Sequence, residues 1–231
     1  MNANESTAFD RLHQDEEYIL SNQLEQIAAH LCGLSGRRLD LLLDNAGFEF
    51  ICDLALIDLA FERGWAGEVV LHVKGHPTFV SDVIAENVSE TIRYISEQEN
   101  TKVQTWGRRL SSAMQNGRIR VRADYFWNYP VPYWQMPERL ISEFARCGLA
   151  ISKGDLNYRR LTGELRWPAD KPFQQVAGTF PCPLGALRTC KSDVVTGLRS
   201  GLAEVIARRD PEWRVNGRWG LAQWNQKDAE D

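Results

Sequence analysis

The chain has 231 residues, 43% of them hydrophobic and 25% charged, with a formal net charge of −4. That composition belongs to a soluble globular protein with length for one large domain or two small ones. It lacks the Lys/Arg excess that a phosphate backbone demands, so no nucleic-acid partner is expected. Five widely spaced cysteines (Cys32, Cys52, Cys147, Cys182, Cys190), with no Cys-x-x-Cys pair, argue against a disulfide framework or zinc ribbon and for reducing surroundings.

Met1 to Glu17 is polar and has no basic patch followed by an apolar core, so no secretory signal is expected. No apolar run approaches the about 18 residues of a membrane span. A cytoplasmic or nuclear protein without a membrane partner is the expectation. Tyr18 to Leu34 is moderately periodic and reads as a helix broken by Gly33 and Gly36. Leu39–Leu43 is a short apolar strand, and Phe48–Arg63 is a helix with few polar positions, hence buried on most sides. Glu68–Lys74 is Val-rich, bounded by Gly67 and Gly75, and suits a buried strand. Ser81-Asp82 precedes a helix over Val83–Glu97, in which Ile84, Val88, Ile92 and Ile95 recur at helical spacing. Thr101–Gln115 is a further helix that Asn116-Gly117 closes. Arg118–Arg122 alternates as a strand does, and Pro137 opens a helix to Arg146 that Gly148 ends. Leu149–Ser152, Ala186–Cys190 and Trp219–Trp224 supply the remaining strands.

This strand–helix alternation requires a mostly parallel sheet covered by helices on both faces, a three-layer α/β/α sandwich. Residues 1–38 are expected to form a short helical N-terminal appendage, and residues 39–231 the α/β domain that carries the site. There are no internal repeats and no low-complexity linkers.

Chemistry collects where strands should end. In a parallel sheet, ligands bind outside the carboxyl ends of the strands. Asp44-Asn45-Ala46-Gly47 sits at such an end, with a glycine that lets the backbone approach closely. The same four residues are also good turn and N-cap chemistry. Ser81-Asp82 reads equally as an N-cap, yet Asp82 follows the strand next in sequence after Asp44. Two carboxylates and an amide oxygen on one crevice would make a hard, all-oxygen site of the kind magnesium or manganese prefers. Lys153-Gly154-Asp155-Leu156-Asn157-Tyr158-Arg159-Arg160 is a strand end running into a helix start, an arrangement suited to anions. Arg188-Thr189-Cys190-Lys191 delivers two more basic residues at a strand end. The aromatic loop from Asp124 to Trp134 reads either as a plug over the core or as a rim that excludes water from a substrate. With no Lys or Arg inside it, it is a poor single-strand binder.

Taken in order, Asp44-Asn45-Ala46-Gly47 with Glu49, Phe79-Val80-Ser81-Asp82, Lys153 to Arg159 and Arg188-Thr189-Cys190-Lys191 resemble the metal-dependent damage-control phosphatases. The Arg-Thr-x-Lys element is similar to that of a subgroup with sugar-phosphate phosphatases and a protein described as an acidic residue methyltransferase. The resemblance covers about Leu39 to the C-terminus. It implies a metal-dependent phosphatase acting on phosphorylated sugars such as fructose 1-phosphate, with manganese, or else nickel or magnesium, held by Asp44, Asn45 and Asp82. Asp155, Leu156, Asn157, Tyr158, Arg159 and Lys191 match its substrate-binding elements. Lys153 joins them from its place at the strand end, and Asp155 joins Asp44, Asn45 and Asp82 as a catalytic candidate.

The alternative it implies is transfer of a methyl group from S-adenosylmethionine to protein carboxylates, in which Glu49 would touch that cofactor. No Gly-x-Gly-x-Gly element follows the first strand, as that reading leads one to expect. Members of the family carry a substantial N-terminal helical domain, whereas 38 residues precede the first core strand here. A truncated, catalytically inactive metal-binding remnant is therefore a third expectation. Oligomeric state is not legible in the sequence.

Overall fold

The computed structural model describes residues 16–227. Most of the polar segment Met1 to Glu17, and with it the first part of the expected appendage, lies outside the described residues. The fold grows from the strand β2 (Arg37–Leu42), whose alternation sorts side chains to two faces. Leu39 and Leu41 face one way, and Asp40 and Leu42 the other. The first pair joins one apolar core and Leu42 the second.

The helix α1 (Leu24–Cys32) and then α2 (Phe48–Glu62), α3 (Ala85–Ser96) and α4 (Thr101–Gln115) cover the first face. Ile27, Leu54, Val88 and Leu110 bring them into one core with Leu39, Val69 and Ile151. The opposite face is covered by α5 (Glu138–Phe144), α6 (Asp155–Leu161), α7 (Phe173–Ala177) and α8 (Leu202–Arg209). Phe144, Tyr158, Phe173 and Ile206 pack there with Leu42, Ala150 and Ala186. The remaining strands are β1 (Ile19–Asn22), β3 (Ala66–Lys74), β4 (Ile119–Asp124), β5 (Leu149–Lys153), β6 (Leu184–Thr189) and β7 (Gly220–Asn225).

They form one seven-stranded sheet in the order β1-β7-β6-β5-β2-β3-β4. Strands β2 to β6 run parallel, β7 is antiparallel to β6, and β1 is parallel to β7. The expected three-layer α/β/α sandwich with a mostly parallel sheet is what forms. From β2 the chain moves outward to β3 and β4, whereas from β5 it moves the other way to β6. The neighbours β2 and β5 therefore flank the point where the winding reverses, and such a point opens a crevice at the strands' carboxyl ends.

Two readings need correction. Tyr18 to Leu34 is not a single helix. Ile19–Asn22 pairs with β7 as an edge strand before α1 begins, and Ile27, Leu31 and Leu34 are part of the core. Short edge strands carry little alternation, and the partner lies about 200 residues away in sequence, so periodicity alone could not find it. The aromatic loop is a plug and not a rim. Phe126, Trp127 and Tyr133 are buried, and the guanidinium of Arg160 donates from Nε to Val131 O (2.9 Å), from Nη1 to Trp127 O (3.0 Å) and from Nη2 to Phe126 O (2.8 Å). No helix among the described residues is long and apolar enough to cross a membrane.

Candidate functional site

At the crevice between β2 and β5 lies a cleft of about 470 Å³, within the range of small-molecule sites. Asp44, Asn45, Glu49, Lys153, Asp155, Arg188 and Lys191 form its polar wall, and Ile19, Phe48, Leu187 and Leu221 stand among its apolar residues.

Asp44 leaves the end of β2 and lies against the backbone of Gly154, at the end of β5. A Cβ on Gly154 would come within 2.0 Å of Asp44 Oδ2, and its φ of +86° is one that side-chain-bearing residues avoid. The glycine is what lets the two strand ends close on the carboxylate. Burial pushes the Asp44 carboxyl up to about 6, against the pull of Lys74, and Glu49 and Asp82 add to the rise. Lys74 Nζ stands 3.9 Å from Asp44 Oδ1, a long ion pair that leaves this partly buried carboxylate without a hydrogen-bonded cation.

Asn45 is tied on three sides. Its Nδ2 donates to Asp44 Oδ2 (2.8 Å) and Glu49 Oε2 (3.0 Å), and its Oδ1 accepts from Ser81 Oγ (2.7 Å). The loops after β2 and β3 are zipped together by Ala46 N to Ser81 O (2.7 Å), Val83 N to Asp44 O (3.0 Å) and an isolated bridge between Asn45 and Asp82. This brings Asp82 beside Asp44 and Asn45. Asp82 itself is buried behind the wall. One of its oxygens accepts from Lys74 Nζ, and Oδ2 accepts from Thr78 N and Phe79 N, both at 2.8 Å.

Neither acidic turn serves as an N-cap. Helix α2 begins after Gly47 at φ +80° with no side-chain cap, and α3 begins after Ile84, whose N–H donates to Asn87 Oδ1 (3.0 Å). The capping alternative for Asp44-Asn45 and for Ser81-Asp82 is thus corrected. Their side chains are spent on tying loops together and on the cleft.

Lys153 ends β5. Its Nζ donates to Asp53 Oδ1 (2.7 Å) and lies 3.2 Å from Glu49 Oε1. Burial lowers Lys153, but Asp53 and Glu49 outweigh it and hold the ammonium above its ordinary range. Across the cleft, Asp155 Oδ1 accepts from Arg188 Nε (2.8 Å), Lys191 N (3.1 Å) and Ser192 Oγ (3.2 Å). Arg188 is fully engaged, since its other nitrogens reach Ser192 and Val194 O and its guanidinium lies 4.5 Å from the centre of the Tyr158 ring. The exposed ammonium of Lys191 has no such partner and is the freer cation on the wall.

Of the other expected substrate residues, Leu156, Asn157, Tyr158 and Arg159 do not line this cleft. Asn157 is buried, donating to Lys153 O (2.8 Å) and Leu43 O (3.2 Å) and accepting from Tyr133 Oη (2.7 Å). Tyr158 is buried and donates to Gln223 Oε1 (2.8 Å). Arg159 pairs with Glu164, and neither it nor Leu156 lines the cleft. A helix turn spreads five consecutive residues around all its sides, so only Asp155, at the first position of α6, keeps the cleft. Asp53 went unnoticed as a site residue. Its signal was the spacing of four between Glu49 and Asp53, which stacks the two on one side of α2, with Asn45 in the turn that leads into the helix.

The donors Asp44, Asn45 and Asp82 are hard oxygens, and Asp44 is a partly buried carboxylate with only a long ion pair to Lys74. On those grounds Asp44 and Asn45, which line the cleft, suit a hard divalent cation, whereas both oxygens of Asp82 are held by Lys74, Thr78 N and Phe79 N. Among the described residues no group of three or more His, Cys, Asp or Glu is gathered for a metal.

Comparison with known proteins agrees with the residue pattern. The model of the damage-control phosphatase ARMT1-like domain matches residues 3–206. The protein described as damage-control phosphatase ARMT1 in Xenopus tropicalis is 35% identical over 218 residues, covering 89% of this chain and 50% of that protein. The protein of that description in Mus musculus is also 35% identical, covering 90% and 50%, and in Homo sapiens it is 30% identical over 231 residues, covering 95% and 52%. The chain therefore spans about half the length of the curated relatives it matches. A crystal structure of a DUF89 family protein from Pyrococcus horikoshii shares the fold, with a TM-score of 0.50 at 13% identity over 90% of this chain and 53% of that one. The chain belongs to the damage-control phosphatase ARMT1-like domain family.

Proposed function

We propose that the chain is a metal-dependent phosphatase that hydrolyses phosphate monoesters of sugars, of the fructose 1-phosphate kind, as a metabolite-repair activity. The observation that carries this reading is the polar wall of one cleft. It sets an under-compensated, partly buried carboxylate and a fixed amide, Asp44 and Asn45, against the ammonium groups of Lys153 and Lys191. Asp44, Asn45 and Asp82 would hold a divalent ion, manganese first and nickel or magnesium next. When bound, the ion supplies Lewis-acid polarisation of a phosphoryl oxygen and a more acidic water.

The chain's own groups do the rest. Lys191 offers its free ammonium to the phosphoryl oxygens, where negative charge must be met during transfer. Lys153 brings a second cation, with one N–H left after Asp53 and Glu49 are satisfied. Asp155, fixed through Oδ1 by Arg188, Lys191 N and Ser192, orients a sugar hydroxyl with its other oxygen. Buried behind the wall, Lys74 holds Asp82 in place through a charge-assisted hydrogen bond.

The test is release of phosphate from fructose phosphates by the purified chain, with and without manganese, nickel or magnesium. Asp44→Ala is expected to lower turnover by about 1,000-fold, the scale of losing a principal electrostatic group, with an unchanged circular dichroism spectrum. Metal-independent turnover, or full activity of Asp44→Ala, would sink the reading. Methyl transfer from S-adenosylmethionine is the weaker proposal. Both oxygens of Glu49 are taken, by Lys153 and Asn45, leaving that carboxylate poorly free to bind a ribose. Labelled methyl transfer without added metal would reverse the preference. Metal binding with no turnover of any kind would favour the inactive-remnant reading.

A further inference from the structure

A run of polar contacts leads from the interior of α2 to the cleft. Asp53 is buried and does not line the cleft, so it touches nothing bound there. Its Oδ1 accepts from Lys153 Nζ at 2.7 Å. The same ammonium lies 3.2 Å from Glu49 Oε1, and the other oxygen of Glu49 accepts from Asn45 Nδ2 at 3.0 Å. Asn45 Nδ2 in turn donates to Asp44 Oδ2 at 2.8 Å. Asn45, Glu49 and Asp53 recur every four residues, so one side of α2 and its leading turn presents all three to the end of β5.

We infer that Asp53 is a positioning residue for the proposed phosphatase reaction, acting through Lys153 on the phosphate end of the cleft and through Glu49 on the amide of Asn45. The inference rests on the phosphatase reading above. An ammonium has three N–H donors and a flexible four-carbon stem, so it aims at a bound group only if something fixes it. Asp53 and Glu49 fix two of the three directions and leave the third for an anion. A second consequence follows from charge. Two carboxylates beside one ammonium leave the cleft's grip on phosphate weaker than Lys153 alone would make it. Asp53 thus trades affinity for orientation.

That trade is measurable, because removing Asp53 should move binding and turnover in opposite directions. In Asp53→Asn, which keeps shape and removes charge, the affinity for inorganic phosphate measured calorimetrically in manganese should tighten by about 3- to 10-fold. The kcat on fructose 1-phosphate should fall by at least about 10-fold, as misplaced reacting groups cost. Asp53→Glu, which retains the charge and displaces it, should keep phosphate affinity within about twofold and still lose kcat, and it serves if the Asn variant does not fold. In a Lys153→Met background, Asp53→Asn should no longer change phosphate affinity, since the shared partner is gone. A merely structural aspartate would lower thermal stability without tightening phosphate.

Unchanged phosphate affinity and kcat in Asp53→Asn, or an equal effect with and without Lys153, would overturn the role of Asp53 while leaving the phosphatase reading intact. Neither phosphate binding nor turnover by the unaltered chain would overturn both.

Discussion

Strand β2 and its exit carry two aspartates four residues apart, one buried and one half-buried, and they are treated in opposite ways. Asp40 is fully buried and closed off. Arg38 donates to both of its oxygens (2.6 and 2.9 Å), and His72 Nε2 lies 2.9 Å from Oδ2. Asp44 has one hydrogen bond from a neutral amide, no ammonium closer than 3.9 Å, and a carboxyl pushed up to about 6 by burial. Asp40 sits in the middle of the sheet under α5, where nothing from solvent can help an ionised group, so the fold must supply its counter-charges itself. Asp44 sits at the mouth of the crevice, where a ligand can supply them. A buried charge left short of partners at a strand's carboxyl end is a reason to look for a ligand. The same charge fully paired in mid-strand is a reason to look no further.

The comparison can be broken most forcefully at Asp40. Asp40→Ala would strand the Arg38 guanidinium and the buried His72, and the expected cost is about 3–5 kcal/mol in urea unfolding. A loss under 1 kcal/mol would mean that Asp40 is no better compensated than Asp44.

Asp44 supplies the next effect, and its sign is opposite to that of an ordinary paired carboxylate. Its folded pKa of about 6 lies above the ordinary aspartate value of 3.8. Between those pH values the native state holds a proton that the unfolded state has released, so stability falls as pH rises and levels off above about 6. The gap of roughly two pH units corresponds to about 3 kcal/mol. In a chelating buffer, unfolding free energy should decline from pH 4 to pH 7 by about that much, and Asp44→Asn should flatten this part of the profile. If both proteins gave the same profile, Asp44 would already be compensated within the fold. Adding manganese at pH 7 should restore stability to the native chain and not to the variant.

How far the sequence could be read follows the same division. The strands and helices around β2, β3 and β5 were legible because buried apolar runs ended in Gly, Asp and Asn. The crevice was legible because those ends carried the polar residues. What stayed hidden needs the third dimension. Edge strand β1 is only four residues long and pairs with the far end of the chain. Asp82 has the right neighbours, but its oxygens are shared with Lys74, which no spacing rule connects to it. Arg188 looked like a free cation at a strand end, yet Asp155, Ser192 and Val194 consume its donors. Residue type proposes a charge, and only geometry says whether that charge has already been spent.

That distinction gives the smallest effect, between two cations drawn from the same sequence motifs. Lys191 lines the cleft with its ammonium unpaired, whereas Arg159 lies off the wall and pairs with Glu164 in a partly exposed ion pair. Lys191→Ala should raise the KM for a phosphorylated sugar and lower kcat/KM by about 10-fold, the worth of a charge-assisted contact to phosphate. Arg159→Ala removes an ion pair of a kind worth about 0–1 kcal/mol and should leave kcat/KM within about twofold. Steady-state kinetics on both variants decide the matter. Equal losses would mean that helix α6 turns its fifth side chain, as well as its first, toward the phosphate when substrate is bound. A loss confined to Arg159→Ala would move the phosphate grip off the cleft wall altogether, and with it the reason for pairing Lys153 with Asp53.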